Sequence, residues 1–164
     1  MSNVILDSYQ INQKIKRLSY EIYENNLSEK SIILIGINKN GFVLSKKIKE
    51  YLLDLFPKKI ELLNLKIQEK NPVFDNFNSK INKNQIKNKV IIVVDDVLNS
   101  GKTIAFSIGS ILSYFPKKIE VAVLVDRSHK NFPVLAKYSG IKLNTTINEH
   151  VKIDLEDKIL GYLI

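Results

Sequence analysis

Cysteine and tryptophan are absent from this chain of 164 residues, methionine occurs once and histidine twice. Without cysteine there is no disulfide, no thiolate nucleophile and no cysteine-ligated metal, and the isolated His129 and His150 do not make a zinc site. Any metal is therefore expected to be a hard ion held by oxygen. No run of about 18 apolar residues occurs and no charged, apolar, small-residue leader follows Met1, so neither a membrane span nor a secretory signal is expected, and a cytoplasmic location is. Arginine is scarce too. Lysine and arginine outnumber the acids 25 to 17, for a net charge of +8, yet only Arg17 and Arg127 are arginines. Such a field attracts a polyanionic substrate or nucleic acid equally well. Planar, bidentate contacts to phosphate or guanine are nearly excluded, because lysine offers only a point charge.

What is present suits one domain over residues 1–164: the chain is 45% hydrophobic, long enough for a real core, and shows no repeat or linker. Asp7 with Gln10 reads as a capping box, and Ile11, Ile15, Leu18 and Ile22 follow at helical spacing to about Asn25. Ser31 to Ile37 reads as a strand, Gly36 to Gly41 as a loop, and Phe42 to Leu55 as a helix stopped by Pro57. Ile60 to Ile67 reads as a second strand. Gln68 to Lys89, rich in Asn and Lys, reads as an exposed excursion and the best candidate for a lid. Val90 to Val94 is a third strand, Thr103 to Tyr114 its helix and Lys118 to Val125 a fourth strand. Alternating strands and helices predict an α/β fold with a doubly wound parallel sheet, to which His150 to Leu155 and Ile159 to Ile164 add a small C-terminal hood of edge strands. Ligands of such sheets gather beyond the carboxyl ends of the strands, where Gly36 to Gly41, Asp95 to Thr103 and Asp126 to Pro133 converge.

The run from Val90 to Thr103 carries the chemistry. A buried strand empties into two carboxylates, Asp95 and Asp96, and then into Asn99-Ser100-Gly101-Lys102-Thr103, which opens a helix whose first N–H groups lack intrahelical partners and so favour a phosphate. The carboxylates repel a bare phosphate but suit sugar hydroxyls or a hydrated Mg²⁺. A Walker A loop does not fit, since the place of its first glycine is taken by Asp96. A plainer reading, a strand exit followed by an Asn99 or Ser100 helix cap, accounts for the same residues. Lys102 is either a phosphate contact or a solvated first-turn lysine, and Thr103 is the better side-chain candidate.

Val93 to Thr103 resembles the phosphoribosyl pyrophosphate (PRPP) signature of type I phosphoribosyltransferases. The run Leu124-Val125-Asp126-Arg127-Ser128-His129, continuing to Pro133, narrows the resemblance to the pyrimidine operon attenuator and uracil phosphoribosyltransferase family. The resemblance implies that Asp95 and Asp96 bind the ribose hydroxyls of PRPP and its Mg²⁺, and so serve catalysis, while Asn99, Ser100, Gly101, Lys102 and Thr103 cradle the 5-phosphate. It makes Ile37-Asn38-Lys39-Asn40-Gly41 the pyrophosphate loop and places nucleobase contacts at Val125, Asp126 and Arg127. His129 reads as a surface or hydrogen-bonded histidine more than as a base, and Phe132 as a stacking or packing ring.

Two departures from the family pattern stand out. Asn40 occupies the place of an Arg before the glycine, and Leu65 to Asn71 has no Arg, leaving Lys66 or Lys70 to reach the pyrophosphate. A plain turn with Asn supporting unusual backbone angles remains the other reading of 37–41. The implied activity is transfer of the phosphoribosyl group of PRPP to a pyrimidine-like base, most naturally uracil, with Mg²⁺. The rival is a nucleotide-sensing, RNA-binding regulator of pyrimidine genes with weak or no catalysis, and a homodimer is implied in either case.

Overall fold

The computed structural model describes residues 3–68, 81–146 and 148–164. Strand β1 (Asn3–Leu6) leads into helix α1 (Ser8–Asn25), then β2 (Ser31–Ile37), α2 (Asn38–Leu55) and β3 (Lys59–Leu65). A short helix α3 (Lys83–Ile86) precedes β4 (Val90–Leu98), α4 (Lys102–Leu112), β5 (Lys118–Arg127) and β6 (Tyr138–Leu143), and the chain closes with β7 (Val151–Asp154) and β8 (Leu160–Leu163). The expected capping box starts α1: Asp7 Oδ1 accepts from Gln10 N at 2.8 Å, and Gln10 Oε1 accepts from Asp7 N at 3.0 Å.

Five strands form a parallel sheet in the order β3-β2-β4-β5-β6. The apolar runs of β2, β4 and β5 are buried on both faces, as an unbroken Val/Ile run in a parallel sheet requires. Alternate residues serve two cores. Ile32, Leu34, Ile92, Val94, Ala122 and Leu124 pack with Ile11, Ile15, Leu18 and Ile22 of α1 and Leu44, Ile48 and Leu52 of α2. Ile33, Ile35, Ile91, Val93, Val121 and Val123 pack with Ile104 and Ile111 of α4 and with Ile81 and Ile86. From β2 the chain steps one way to β3 and from β4 the other way to β5, so the crevice between β2 and β4 is the topological switch point.

Several expectations need correction. Asp95 and Asp96 lie inside β4, not in a turn beyond it, and Val125, Asp126 and Arg127 are the last residues of β5. Residues 37–41 form no loop: β2 passes directly into α2 through Asn38, whose φ of +52° makes the bend. The hood is a separate antiparallel sheet, β1-β8-β7, that recruits the N-terminal strand as well as the two C-terminal ones. The expected excursion is buried where it ends, because Ile81 and Ile86 enter the core; residues 69–80 of it lie outside the described residues.

One ion cluster fastens the end of the sheet away from the carboxyl termini of the strands. Glu120 of β5 is 4% exposed and accepts from Lys137 Nζ at 2.6 Å, Tyr138 Oη at 2.8 Å and Asn26 Nδ2 at 3.1 Å, with Lys118 Nζ at 3.0 Å. Burial pushes its carboxyl up, but the hydrogen bonds from Lys137, Asn26, Tyr138 and Lys118 together outweigh burial and hold it below its ordinary value. Burial and Glu120 also raise the Tyr138 phenol, which therefore stays a donor. A lowered folded-state value stabilises above the unfolded carboxylate range, and that stability is lost as pH falls through the folded value. Glu120→Gln is expected to cost about 1–3 kcal/mol near neutral pH, the scale of hydrogen bonds to a buried charge. In denaturant melts its deficit against the parent should shrink as pH falls below the ordinary carboxylate range and the parent's carboxyl protonates.

Candidate functional site

Beyond the switch point, β4 outruns its neighbour. The β2–β4 ladder ends at Gly36 opposite Val94, while the β4–β5 ladder continues to Leu98 opposite Asp126. Asp95 and Asp96 occupy the stretch where β2 has turned away into α2, and they open on a cavity of about 350 Å³. It is lined by Asn40, by the β4 end and turn from Asp95 to Ile104, and by Val151, Lys152 and Ile153 of β7. Asp95, Asp96 and all five residues of the expected phosphate turn thus share one cavity.

The carboxylates are held by short contacts. Asp95 Oδ1 accepts from Asp96 N at 2.9 Å and Asp96 Oδ1 from Val97 N at 3.0 Å, while Asp96 Oδ2 accepts from Asn40 Nδ2 at 2.8 Å. Gly101 turns the chain into α4 with φ of +84°, and a Cβ there would lie 3.3 Å from the Phe132 carbonyl and from Val134 Cγ2. That loop backs the turn: Asn131 N and Phe132 N donate to the Ser100 carbonyl at 2.9 and 3.1 Å. Helices α2 and α4 both begin without a side-chain cap, and their N-termini carry partial positive charge. Among the described residues no group of three His, Cys, Asp or Glu side chains forms a metal cage. Two carboxylates at a cavity suit an ion such as Mg²⁺, which is bound through one or two carboxylates plus the phosphates of a substrate.

Residues 2–158 match the phosphoribosyl transferase domain family. The chain belongs to that family. It is 33% identical to the bifunctional protein PyrR of Fusobacterium nucleatum, over 94% of this chain and 91% of that one, and 32% identical to that of Pediococcus pentosaceus, over 98% of each. Its fold is that of the Trypanosoma cruzi hypoxanthine phosphoribosyltransferase, with a TM-score of 0.81 over 98% of this chain and 95% of that one at 14% identity. The hypoxanthine-guanine phosphoribosyltransferase of Bacillus anthracis superposes with a TM-score of 0.73 at 18% identity, over 87% and 82% of the two chains. Among the described residues of this phosphoribosyltransferase no helix is long and apolar enough to cross a membrane.

Of the five residues expected to form the pyrophosphate loop, only Asn40 lines the cavity. Ile37 is buried, and Asn38 turns its side chain to β3, accepting from Ile67 N at 2.8 Å. The reading of an asparagine that supports unusual backbone angles therefore describes Asn38. Lys39 pairs with Glu156 of the hood at 2.5 Å, and that contact raises its ammonium pKa. Gly41 packs α2 onto β4, its missing Cβ falling 2.5 Å from the Val94 carbonyl.

The expected base contacts Val125, Asp126 and Arg127 do not line the cavity. Val125 is core, Asp126 pairs with Lys130 at 2.8 Å, and the Arg127 guanidinium is spent on protein oxygens. The His129 ring bonds the Thr145 carbonyl, and Lys66 is exposed, whereas Lys70 lies outside the described residues. Missed altogether were the hood residues Val151, Lys152 and Ile153 as a wall of the cavity. No local pattern marks them, because what aims β7 at the site is its distant contact with Asn40, whose Nδ2 donates to the Ile153 carbonyl at 3.1 Å.

Gly41→Ala should destabilise by about 1–3 kcal/mol, since a methyl must displace either helix or strand backbone. Gly109→Ala, where an added Cβ meets nothing within 4 Å on α4, should instead stabilise by about 0.5–1 kcal/mol. Thermal or denaturant melts of the two variants check the opposite signs.

Proposed function

We propose that this phosphoribosyltransferase moves the phosphoribosyl group of PRPP to a nucleobase, uracil before others, releasing a nucleoside monophosphate and pyrophosphate. The observation that carries the reading is the meeting, in one cavity, of Asp95 and Asp96 with the Asn99–Thr103 turn and the outer edge of β7. Each part suits one part of the reaction. Two carboxylates accept hydrogen bonds from the ribose hydroxyls, and the turn with the start of α4 takes the 5-phosphate on backbone N–H groups. Among the described residues strand β7 pairs only with β8, and its Ile153 carbonyl accepts from Asn40. By the two-residue alternation of an antiparallel ladder, Val151 presents its polar backbone to the same side. Paired N–H and C=O groups there suit the lactam edge of a planar base, and the base is accordingly assigned to β7 and not to Val125, Asp126 and Arg127.

Positive charge develops on the ribose as the bond to pyrophosphate breaks, so Asp95 and Asp96 act by orientation and by their negative charge, and no covalent nucleophile is needed. Mg²⁺, held between these carboxylates and the phosphates of PRPP, would supply charge neutralisation to the leaving group. Asp96→Asn and Asp95→Asn should each lower kcat/KM by about 100-fold or more, the scale of a misplaced reacting group. The assay is release of pyrophosphate from PRPP and Mg²⁺ with uracil and a panel of other bases; turnover with none of them would refute the transfer.

A second reading, an RNA-binding regulator of pyrimidine genes with weak catalysis, draws on the side chains near the leaving group: Asn40 is neutral and Lys39 is tied to Glu156. The relatives are called bifunctional proteins, which accommodates both roles. Under this reading leader RNA binds with a preference that survives moderate salt, whereas purely lysine-driven binding would fade equally for any RNA.

A further inference from the structure

The Arg127 side chain is the most heavily engaged polar group of the described residues outside the cavity. It is 6% exposed, and its Nη1 donates to Asn99 Oδ1 at 2.9 Å. On the other side, Nε and Nη2 donate to Thr145 Oγ1 at 2.9 and 2.7 Å, and Nη2 also donates to the carbonyls of Thr146 at 3.3 Å and Glu149 at 2.7 Å. Asn99 belongs to the phosphate turn, and Glu149 stands two residues before Val151, where β7 begins. One guanidinium therefore joins the two walls of the cavity from behind.

Every acceptor on that guanidinium is a neutral oxygen. Its hydrogen-bond partners do not neutralise it, the Glu149 carboxylate acts on it only through space, and a low-dielectric setting screens the remaining field poorly. The turn that Asn99 begins offers a second place for negative charge beside it. An anion there gains from the cation behind Asn99, and Asn99, once oriented by both, holds the guanidinium in one position. The fork geometry then fixes Thr145, Thr146 and Glu149 together, which a lysine with its single nitrogen cannot reproduce.

We propose that Arg127 is a positioning residue that couples the phosphate turn to the hood, so that an anion bound at Asn99–Thr103 orders Thr145, Thr146 and Glu149 and with them the approach of β7 to the cavity. The coupling rests on the phosphate assignment made above but not on the identity of the base. His129, two residues beyond Arg127, supports it, because its ring bonds the Thr145 carbonyl.

Hydrogen exchange of the full chain, followed by mass spectrometry on peptides spanning 144–153, tests the coupling with two probes, PRPP with Mg²⁺ and inorganic phosphate alone. Binding of each is measured in parallel by calorimetry. In the parent, either bound probe should slow exchange in these peptides by about five-fold or more, the mark of a suppressed local opening. Arg127→Lys should bind the probes more weakly and lose that protection at saturation. Thr145→Val, which removes two of the four hydrogen bonds to the hood side and leaves Asn99 in contact, should bind them nearly as well as the parent and still lose part of the protection. Binding of PRPP with unchanged exchange in the parent, or full protection in both variants, overturns the coupling and leaves the phosphoribosyl transfer standing. Failure of both probes to bind the parent overturns the coupling and the phosphate assignment together.

Discussion

The structure depends on how closely α2 approaches the end of β4. Two helix N-termini and two carboxylates must meet at one strand end, and space for this exists only because β2 leaves the sheet after Gly36 while β4 runs on. Gly41 makes the approach possible: a side chain there would strike the Val94 carbonyl and crowd Asp95. With α2 seated, Asn40 reaches Asp96, and the carboxylate is clamped between a side-chain amide and the Val97 N–H. A carboxylate with both oxygens directed in this way loses little freedom when it meets a ligand, which is the physical content of preorganisation.

The hood is held over this strand end by Ile153 and Leu155, which are buried in the main core, and by polar side chains. Asn40 ties Ile153, Lys39 ties Glu156, and Arg127 with His129 ties the segment before β7. These ties differ in strength for simple reasons. Lys39 and Glu156 are largely solvated, and such a pair is worth little. The buried Arg127 is costly to disturb, since removing its partners would strand a charge. Of the polar ties, the firm one is therefore behind the Asn99 turn, and the yielding one lies at the mouth near α2.

Most of the fold was legible because the information was local. The capping box of α1, the unbroken Val and Ile runs of β2, β4 and β5, and the alternation of strands with helices each follow from periodicity or cap chemistry. The meeting of Asp95 and Asp96 with the Asn99–Thr103 turn was legible for the same reason: Asp95 to Thr103 is contiguous, and its neighbours in sequence are its neighbours in the cavity. Residues whose roles depend on distant partners were not. Nothing local to Asn40 points to Asp96, and nothing local to Arg127 points to Asn99, so the contacts that these side chains make within the protein were not legible. Strand β1 was missed because four residues before a helix carry too little pattern, and its pairing with β8 joins the two ends of the chain.

The replacement of an arginine by Asn40 looks at first like a loss of catalytic charge, but the geometry assigns the position a different task. An amide gives Asp96 a hydrogen bond without giving it a counter-charge, so the carboxylate keeps its full negative charge for ribose hydroxyls or a metal. A guanidinium in the same contact would form an ion pair and compete with both. Positive charge for the phosphates must then come from elsewhere, and the structure offers it from the sides instead of the front: the N-termini of α2 and α4, and Arg127 behind Asn99. Such charge is fixed in place and needs no side-chain ordering on binding, but it acts at the 5-phosphate more than at the departing pyrophosphate. Under the proposed transfer the chain therefore grips the sugar phosphate more firmly than the leaving group, and a metal brought with the substrate would supply the rest of the charge.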